Sequence, residues 1–179
     1  MTTTLQKPVQ VGFAFTGSFC TFSQVISQLE AVAQHPNWEV IPIMSPNAYS
    51  IDTRFGLAKD FRAQIQKICN HEIIHTIFDA EPIGPKKLLD VLVVAPCTGN
   101  TLGKLANGIY DTSVTLAVKA HLRNARPVVI AVSTNDALAS SAKNIGTLFN
   151  NRHIFFVPMA QDNAQSKPTS IVADFTKLI

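Results

Sequence analysis

Residues 89–108 read LDVLVVAPCTGNTLGKLANG, and this stretch decides the fold. The apolar run 91–95 is rich in β-branched residues and ends at Pro96, a pattern typical of a strand buried on both faces of a parallel sheet. The chain then turns through small polar residues into an amphipathic helix that ends at Asn107-Gly108. The stretch therefore sets hydroxyl and amide side chains between the carboxyl end of a strand and the amino end of a helix.

This strand-to-helix turn has two interpretations. Open α/β sheets bind ligands at such turns, because free helix amides and the helix dipole favour an anionic group. Alternatively, Thr98 or Asn100 is only the N-cap of an ordinary helix. The turn taken alone leaves both interpretations open.

The composition predicts one globular domain. The chain has 179 residues, of which 46% are hydrophobic and 15% charged, enough for a substantial core. The net charge of +3 is dispersed, which disfavours nucleic-acid binding. No apolar run is long enough to span a membrane, and residues 1–8 lack the apolar region of a signal peptide. We expect a single cytoplasmic domain over residues 1–179, with a flexible N-terminus at 1–8 and a C-terminal tail at 158–179.

The three cysteines predict no metal site. Cys20, Cys69 and Cys97 lie far apart, without the paired spacing of zinc ligands. Small buried or half-buried thiols are the ordinary interpretation in a reducing compartment. Cys97 differs only because it belongs to the candidate ligand loop.

Strand and helix patterns alternate along the chain. We predict strands at residues 9–16, 39–44, 72–78, 91–95, 127–132 and 153–157. We predict helices at residues 24–34, 57–68, 113–122 and 137–149, one after the 96–101 turn, and a short one near 170–178. This alternation indicates an α/β fold: a three-layer, doubly wound, Rossmann-like parallel sheet of about six strands.

Three of the predicted strand ends carry small polar residues. These are Gly17-Ser18, residues 98–100 and residues 133–135. Each is explicable as a turn or a cap, but together they favour one shared anionic ligand. Gly17 would let backbone amides approach a phosphate. The three-glycine dinucleotide fingerprint is missing, which disfavours a nicotinamide nucleotide as the bound cofactor.

Arg54 is a candidate for recognising an anionic substrate. It lies in a polar loop, residues 47–56, that follows a predicted strand. A guanidinium can form a fork with a carboxylate or a phosphate. A solvated surface arginine is the alternative. No catalytic triad or phosphate-binding lysine loop is visible, so we assign no catalytic residue.

At these residues the chain resembles the FMN-binding flavoproteins, the family that includes cysteine decarboxylases and flavin prenyltransferases. APCTGNT at residues 95–101, followed by KLANG at 104–108, is similar to the family's Asn-Thr loop and its Lys-x-Ala-Asn-Gly helix. Asp111 stands where the family usually has an aspartate after this helix. TGS at 16–18 resembles the family's first flavin-phosphate loop. Asn135 falls on the asparagine of the third motif, whose flanking methionines are replaced here.

The resemblance implies FMN as the cofactor. Its phosphate would meet Gly17, Ser18 and the hydroxyl of Ser45 or Thr98, and its ring would rest against residues 96–97 and 133–135. The implied cofactor-binding residues are Gly17, Ser18, Phe19, Ser45, Pro96, Cys97, Thr98, Asn100, Thr101, Ser133, Thr134 and Asn135. Members of the family assemble as trimers or dodecamers, so we expect a homo-oligomer. The aromatic residues Phe13, Phe15, Phe19 and Phe22 could belong to an interface or to the core.

Further motifs resemble one branch of the family, the flavoprotein components of a two-component synthase. They are TRFG at 53–56, EPIGPKK at 81–87, STNDAL at 133–138, VP at 157–158 and QDN at 161–163. That branch implies oxidation of a dihydrodipicolinate-type precursor to pyridine-2,6-dicarboxylate in sporulation. It also implies an oxidoreductase subunit whose activity requires a partner, the A subunit of the synthase, which uses NAD(P)H. The small dicarboxylate would pair with Arg54, with Lys104 and Arg123 as secondary candidates.

One departure bears on activity. The family's decarboxylases carry a catalytic histidine shortly before the central strand, where this chain reads PIGP at residues 82–85. His71 and His75 do not fall on that motif. The departure disfavours decarboxylation of a cysteine. A non-catalytic flavin-binding accessory protein and another flavin-dependent, decarboxylase-like enzyme remain alternatives.

Overall fold

The computed structural model describes residues 7–179 and contains one seven-stranded sheet. Five strands are parallel, in the order β2-β1-β3-β4-β5. They are β1 (Val9–Phe15), β2 (Trp38–Met44), β3 (Val91–Cys97), β4 (Val128–Thr134) and β5 (Ile154–Phe156). Two short strands, β6 (Met159–Ala160) and β7 (Ile171–Ala173), continue the sheet beside the end of β4 in antiparallel pairing.

Helices occupy the connections between the strands. They are α1 (Phe22–Ala33), α2 (Pro46–Ser50), α3 (Ala58–Cys69), α4 (Ile77–Ala80), α5 (Gly99–Ala106), α6 (Ser113–Leu122) and α7 (Ala142–Phe149). Single 3₁₀ turns lie at Phe19–Thr21, Glu81–Ile83 and Phe175–Lys177. Within residues 7–179, no helix has the length and apolar character needed to cross a membrane.

Two apolar layers cover the two faces of the sheet. Along β1, Phe13 and Phe15 belong to one buried cluster with α1 and α3, while Ala14 belongs to the other with α5, α6 and α7. This period of two follows from the pleat of a strand. The predicted three-layer, doubly wound sheet is confirmed. Phe13, Phe15 and Phe22 are fully buried, so these three aromatic residues form core rather than surface.

The strand predicted at residues 72–78 is wrong. Ile74 makes a single parallel bridge to Ile43, with its amide donating to the Pro42 carbonyl at 2.9 Å. The extended stretch ends there because Thr76 caps α4, accepting from the Asp79 amide at 3.0 Å. The segment therefore supports the edge of β2 without forming a strand of its own.

The C-terminal residues are built into the sheet. The helix predicted near 170–178 is wrong at residues 171–173, which form β7. Ile171 and Val172 of this strand pair with Thr134 and Ser133 of β4. Phe175 follows in a 3₁₀ turn and is 4% exposed. The prediction of a flexible N-terminus at residues 1–8 falls almost entirely outside the described residues.

His121 on α6 makes the stability of the fold depend on pH. Its side chain is 1% exposed, its Nε2 lies 3.0 Å from the Pro127 carbonyl, and burial lowers its pKa to about 4. The unfolded chain, with an ordinary histidine pKa near 6.5, therefore binds more protons between about pH 6.5 and 4. Stability is full above that window and falls as the pH drops through it.

We predict that His121→Gln makes the free energy of unfolding less dependent on pH. After allowance for solvent screening, it should remove on the order of 1–2 kcal/mol of the loss between about pH 6.5 and 4. Urea unfolding at a series of pH values measures it, with the exposed His35→Gln as the control. Parallel pH curves for the wild type and His121→Gln would contradict the prediction.

Candidate functional site

Side-chain hydroxyls join the carboxyl ends of β1, β3 and β4. The buried Thr16 hydroxyl donates to the Pro96 carbonyl at 2.7 Å and accepts from the Thr98 amide at 3.0 Å, which ties β1 to β3. The Ser18 and Ser133 hydroxyls lie 2.8 Å apart and tie the loop after β1 to the end of β4. Three segments that are distant in sequence thus meet at one edge of the sheet.

A cleft of about 640 Å³ opens at this edge. This volume lies within the range of small-molecule and cofactor sites. The cleft is lined by Gly17, Ser18, Cys20, Arg54, Phe55, Thr98, Gly99, Asn100, Ser133, Thr134, Asn135, Asp136, Asp162, Lys167, Ser170 and Val172. All three predicted strand ends contribute to it.

A smaller cavity of about 110 Å³ adjoins the cleft and shares Gly17, Thr98 and Asn100 with it. Its other lining residues are Thr16, Ser45, Pro46, Asn47, Thr101, Lys104 and Thr112. The structure thus brings the predicted residues Ser45 and Thr101 to this cavity. Hydroxyls predominate among the side chains of the lining, and a compact anion is the ligand that such donors favour.

The amino end of α5 faces this cavity. The Thr98 side chain caps the helix by accepting from the Thr101 amide at 3.3 Å. The amides of Gly99 and Asn100, in the first turn, have no partner within the helix itself, so they add a positive end to the site. Capping and anion binding are therefore compatible here rather than alternative.

Lys104 is the cation of the smaller cavity. Its ammonium lies 2.7 Å from an Asp111 carboxylate oxygen. The hydrogen bond from Lys104 lowers the pKa of Asp111, so this carboxylate is ionised at neutral pH. Arg123, the other candidate for substrate pairing, lies beside Gly84 and Ala120, outside both cavities.

Asp136 organises the loop between β4 and α7. Its carboxylate accepts from the hydroxyls of Thr134 at 2.6 Å, Ser140 at 2.5 Å and Ser141 at 2.9 Å. These bonds, led by those from Ser140 and Thr134, lower its pKa. The loop is turned around this carboxylate, which is why α7 begins at residue 142 and not at the predicted 137.

Gly99 is required by this packing. A Cβ at Gly99 would lie 2.7 Å from oxygen atoms of Thr134, Asp136 and Ser141. Gly17 is different, because a Cβ there would meet nothing closer than Phe19 at 3.6 Å. The interior of the chain therefore does not demand glycine at position 17, and the open space beside it belongs to the two cavities that it borders.

Three of the predicted cofactor residues do not line either cavity. Pro96 and Cys97 are buried in β3, and complete burial raises the pKa of the Cys97 thiol. Phe19 is half-buried and packs on Phe22, with ring centroids 5.1 Å apart. The Cys97 side chain therefore belongs to the core, and Phe19 packs against the core through Phe22.

Arg54 reaches the cleft from a tight turn. Thr53 and Gly56 pair across the turn, with backbone hydrogen bonds of 3.0 and 3.1 Å. The Arg54 guanidinium lies over the Phe55 ring, 4.9 Å from its centroid, and both residues are exposed. Within residues 7–179, no carboxylate lies within ion-pair distance of Arg54. Its charge is available to a ligand.

One wall of the cleft is not predicted by the sequence. Asp162, Lys167 and Ser170 come from the loop between β6 and β7, and Val172 comes from β7 itself. The sequence offered only the QDN motif at residues 161–163 as an indication of this wall. Its position depends on the antiparallel pairing of β7 with β4, which the sequence did not predict.

The histidines lie away from the cleft. His71 lies 2.9 Å from a Glu39 oxygen, and His75 stacks on Tyr49 with ring centroids 3.8 Å apart. Among the residues that the structure describes, no histidine lines either cavity.

Comparison with known proteins identifies the relatives of the chain. The family model described as Flavoprotein matches residues 2–177. The B subunit of dipicolinate synthase from Bacillus subtilis (strain 168) is 43% identical over 167 residues, which cover 93% of this chain and 83% of that protein. A crystal structure of the dipicolinate synthase B subunit from Bacillus halodurans C is 40% identical, with a TM-score of 0.86 and coverage of 96% and 88%.

The fold is shared more widely. A dodecameric FMN-dependent UbiX-like decarboxylase from Escherichia coli O157:H7 has a TM-score of 0.67 at 21% identity. The match covers 84% of this chain and 80% of that one. At this identity the likeness concerns the fold alone.

Proposed function

The chain belongs to the flavoprotein family and is a homologue of the dipicolinate synthase B subunit, and from this premise we propose that it is the FMN-binding component of such a synthase. The reaction is oxidation of a dihydrodipicolinate-type precursor to pyridine-2,6-dicarboxylate in sporulation. The observation that carries this proposal is the pairing of a small anion-binding cavity with a larger cleft that holds the uncompensated cation Arg54.

The residues present fit FMN. A compact phosphate matches the smaller cavity, with the hydroxyls of Ser45, Thr98 and Thr101 and the first amides of α5 as donors. The larger cleft adjoins it at Gly17, so one ligand with an anionic end and a broad ring can occupy both. Gly17, Thr98 and Asn100 line both cavities, so a side chain added at position 17 would lie where the two adjoin.

The side chains that line the cleft bind the flavin and the substrate and orient them. A bound flavin supplies hydride acceptance, chemistry that belongs to the cofactor. Ser18 and Ser133, linked to each other at 2.8 Å, offer hydroxyls to the ligand, and Asn135 offers an exposed amide. Arg54 holds a substrate carboxylate by charge-assisted hydrogen bonds. Oxidation at a flavin does not require a histidine in the cleft, whereas the family's decarboxylases carry a catalytic histidine.

The assembly and partner are part of the proposal. The A subunit of the synthase would supply the domain that uses NAD(P)H, since the name of the homologous B subunit implies a second component. We also propose a homo-oligomer, a trimer or dodecamer, in line with the dodecameric relative of the same fold. The protein would act in the cytoplasm as a single domain.

Two alternatives are weaker. A non-catalytic FMN-binding accessory protein would not need Arg54 free of carboxylate partners in the cleft. A decarboxylase-like enzyme of the family would carry a histidine before β3. This chain instead has the sequence PIGP at residues 82–85, which begins within a 3₁₀ turn and contains no histidine.

We predict that Gly17→Val weakens FMN binding by about 10- to 100-fold, because its side chain fills the space between the two cavities. Flavin fluorescence titration of the flavin-free protein measures the affinity. Gly146→Val, where a Cβ meets nothing within 4 Å, is the control and should bind FMN normally. Undiminished flavin binding by a folded Gly17→Val protein would exclude this position of the cofactor.

Arg54→Ala should raise the KM for the dihydropyridine substrate by about 10- to 100-fold, the cost of losing a charged hydrogen bond. Flavin content should stay unchanged, because the phosphate cavity lies elsewhere. The assay follows pyridine absorbance in mixtures of the A subunit with this chain, and the exposed Arg152→Ala serves as control. Unaltered kinetics would remove Arg54 from the site, and equal turnover without this chain would favour the accessory role.

A further inference from the structure

The loop between β6 and β7 is fixed against the cleft. The Leu138 amide donates to the Thr169 carbonyl at 3.0 Å, and the Thr169 hydroxyl donates to the Asn135 carbonyl at 2.6 Å. The Lys167 amide donates to the Asn163 carbonyl at 2.9 Å. Backbone contacts therefore determine where Lys167 lies, at the wall of the larger cleft.

Lys167 is held by a neighbouring carboxylate. Its ammonium lies 2.9 Å from an Asp162 oxygen, and both residues line the cleft. A hydrogen bond from Ser170, then that from Lys167, lowers the pKa of Asp162, while Asp162 raises the pKa of Lys167. Both groups are therefore ionised at neutral pH. An ammonium has three donors, and the contact with Asp162 uses one of them.

Lys167 and Arg54 reach the cleft from opposite directions. Arg54 follows β2, which lies at one edge of the sheet, whereas Lys167 precedes β7, beyond β4 on the other side. The lining also holds two carboxylates, Asp162, which is paired with Lys167, and Asp136, whose oxygens accept from three hydroxyls. A ligand in the cleft thus meets two separated cations.

We propose that Lys167 binds the second carboxylate of a dicarboxylate ligand whose first carboxylate is bound by Arg54. The proposal rests on the proposed function, and it specifies how a diacid is selected. Asp162 acts as a positioning residue, because its contact with the Lys167 ammonium holds that group at the wall of the cleft. A monoacid uses only one of the two cations and gains nothing from the other, so the presence of the second cation in the lining favours a diacid.

The test uses the full chain loaded with FMN, titrated calorimetrically in metal-free buffer. The probes are pyridine-2,6-dicarboxylate and the monoacid pyridine-2-carboxylate. The wild type should bind the diacid at least about tenfold more tightly than the monoacid, and Lys167→Met should abolish most of that preference while leaving monoacid binding unchanged. Lys167→Arg keeps the charge and should retain the preference, as should the exposed control Lys86→Met.

The outcomes separate the two proposals. A wild-type preference that survives in Lys167→Met overturns the role of Lys167 and leaves the proposed function standing. Equal weakening of both acids in Lys167→Met, with flavin content intact, also overturns it, because the effect would not belong to the second carboxylate. A wild-type protein that binds neither acid, or does not distinguish them, counts against the proposed substrate and against this inference together.

Discussion

The buried hydroxyl of Thr16 is the contact on which the site depends. It donates to the Pro96 carbonyl and accepts from the Thr98 amide, so the ends of β1 and β3 are held together beyond their regular pairing. The loop after β1 and the start of α5 are thereby fixed side by side. Gly17 borders both cavities for this reason, and the hydroxyls of Ser18 and Ser133 can meet across the cleft.

Much of the fold could be predicted because its strands are local and strongly patterned. The run at residues 91–95 has an apolar, β-branched sequence that a doubly wound sheet requires, and it became β3. The three polar strand ends could be expected to converge, because parallel strands direct their carboxyl ends to one edge of the sheet. The positions of residues 17, 98 and 133 around a single cleft agree with that expectation.

The remaining features depend on contacts between distant residues. The apolar run at 72–78 resembles a strand, yet Ile74 finds only one bridging position and Thr76 then starts a helix. Strand β7 has three residues, too few to show a period, and it exists because the end of β4 offers free backbone groups. Lys167 enters the cleft only through that pairing, so no local pattern could have indicated it.

An anaerobic half-reaction tests most directly whether the flavin bound by this chain is the group that oxidises the substrate in the two-component synthase. The FMN-loaded chain, together with the A subunit but without any nicotinamide nucleotide, is mixed with dihydrodipicolinate while the visible absorbance of the flavin is followed. We predict that the absorbance falls and that one equivalent of pyridine-2,6-dicarboxylate appears for each flavin reduced. An unchanged absorbance, in a sample whose flavin is still reduced by dithionite, would contradict the account.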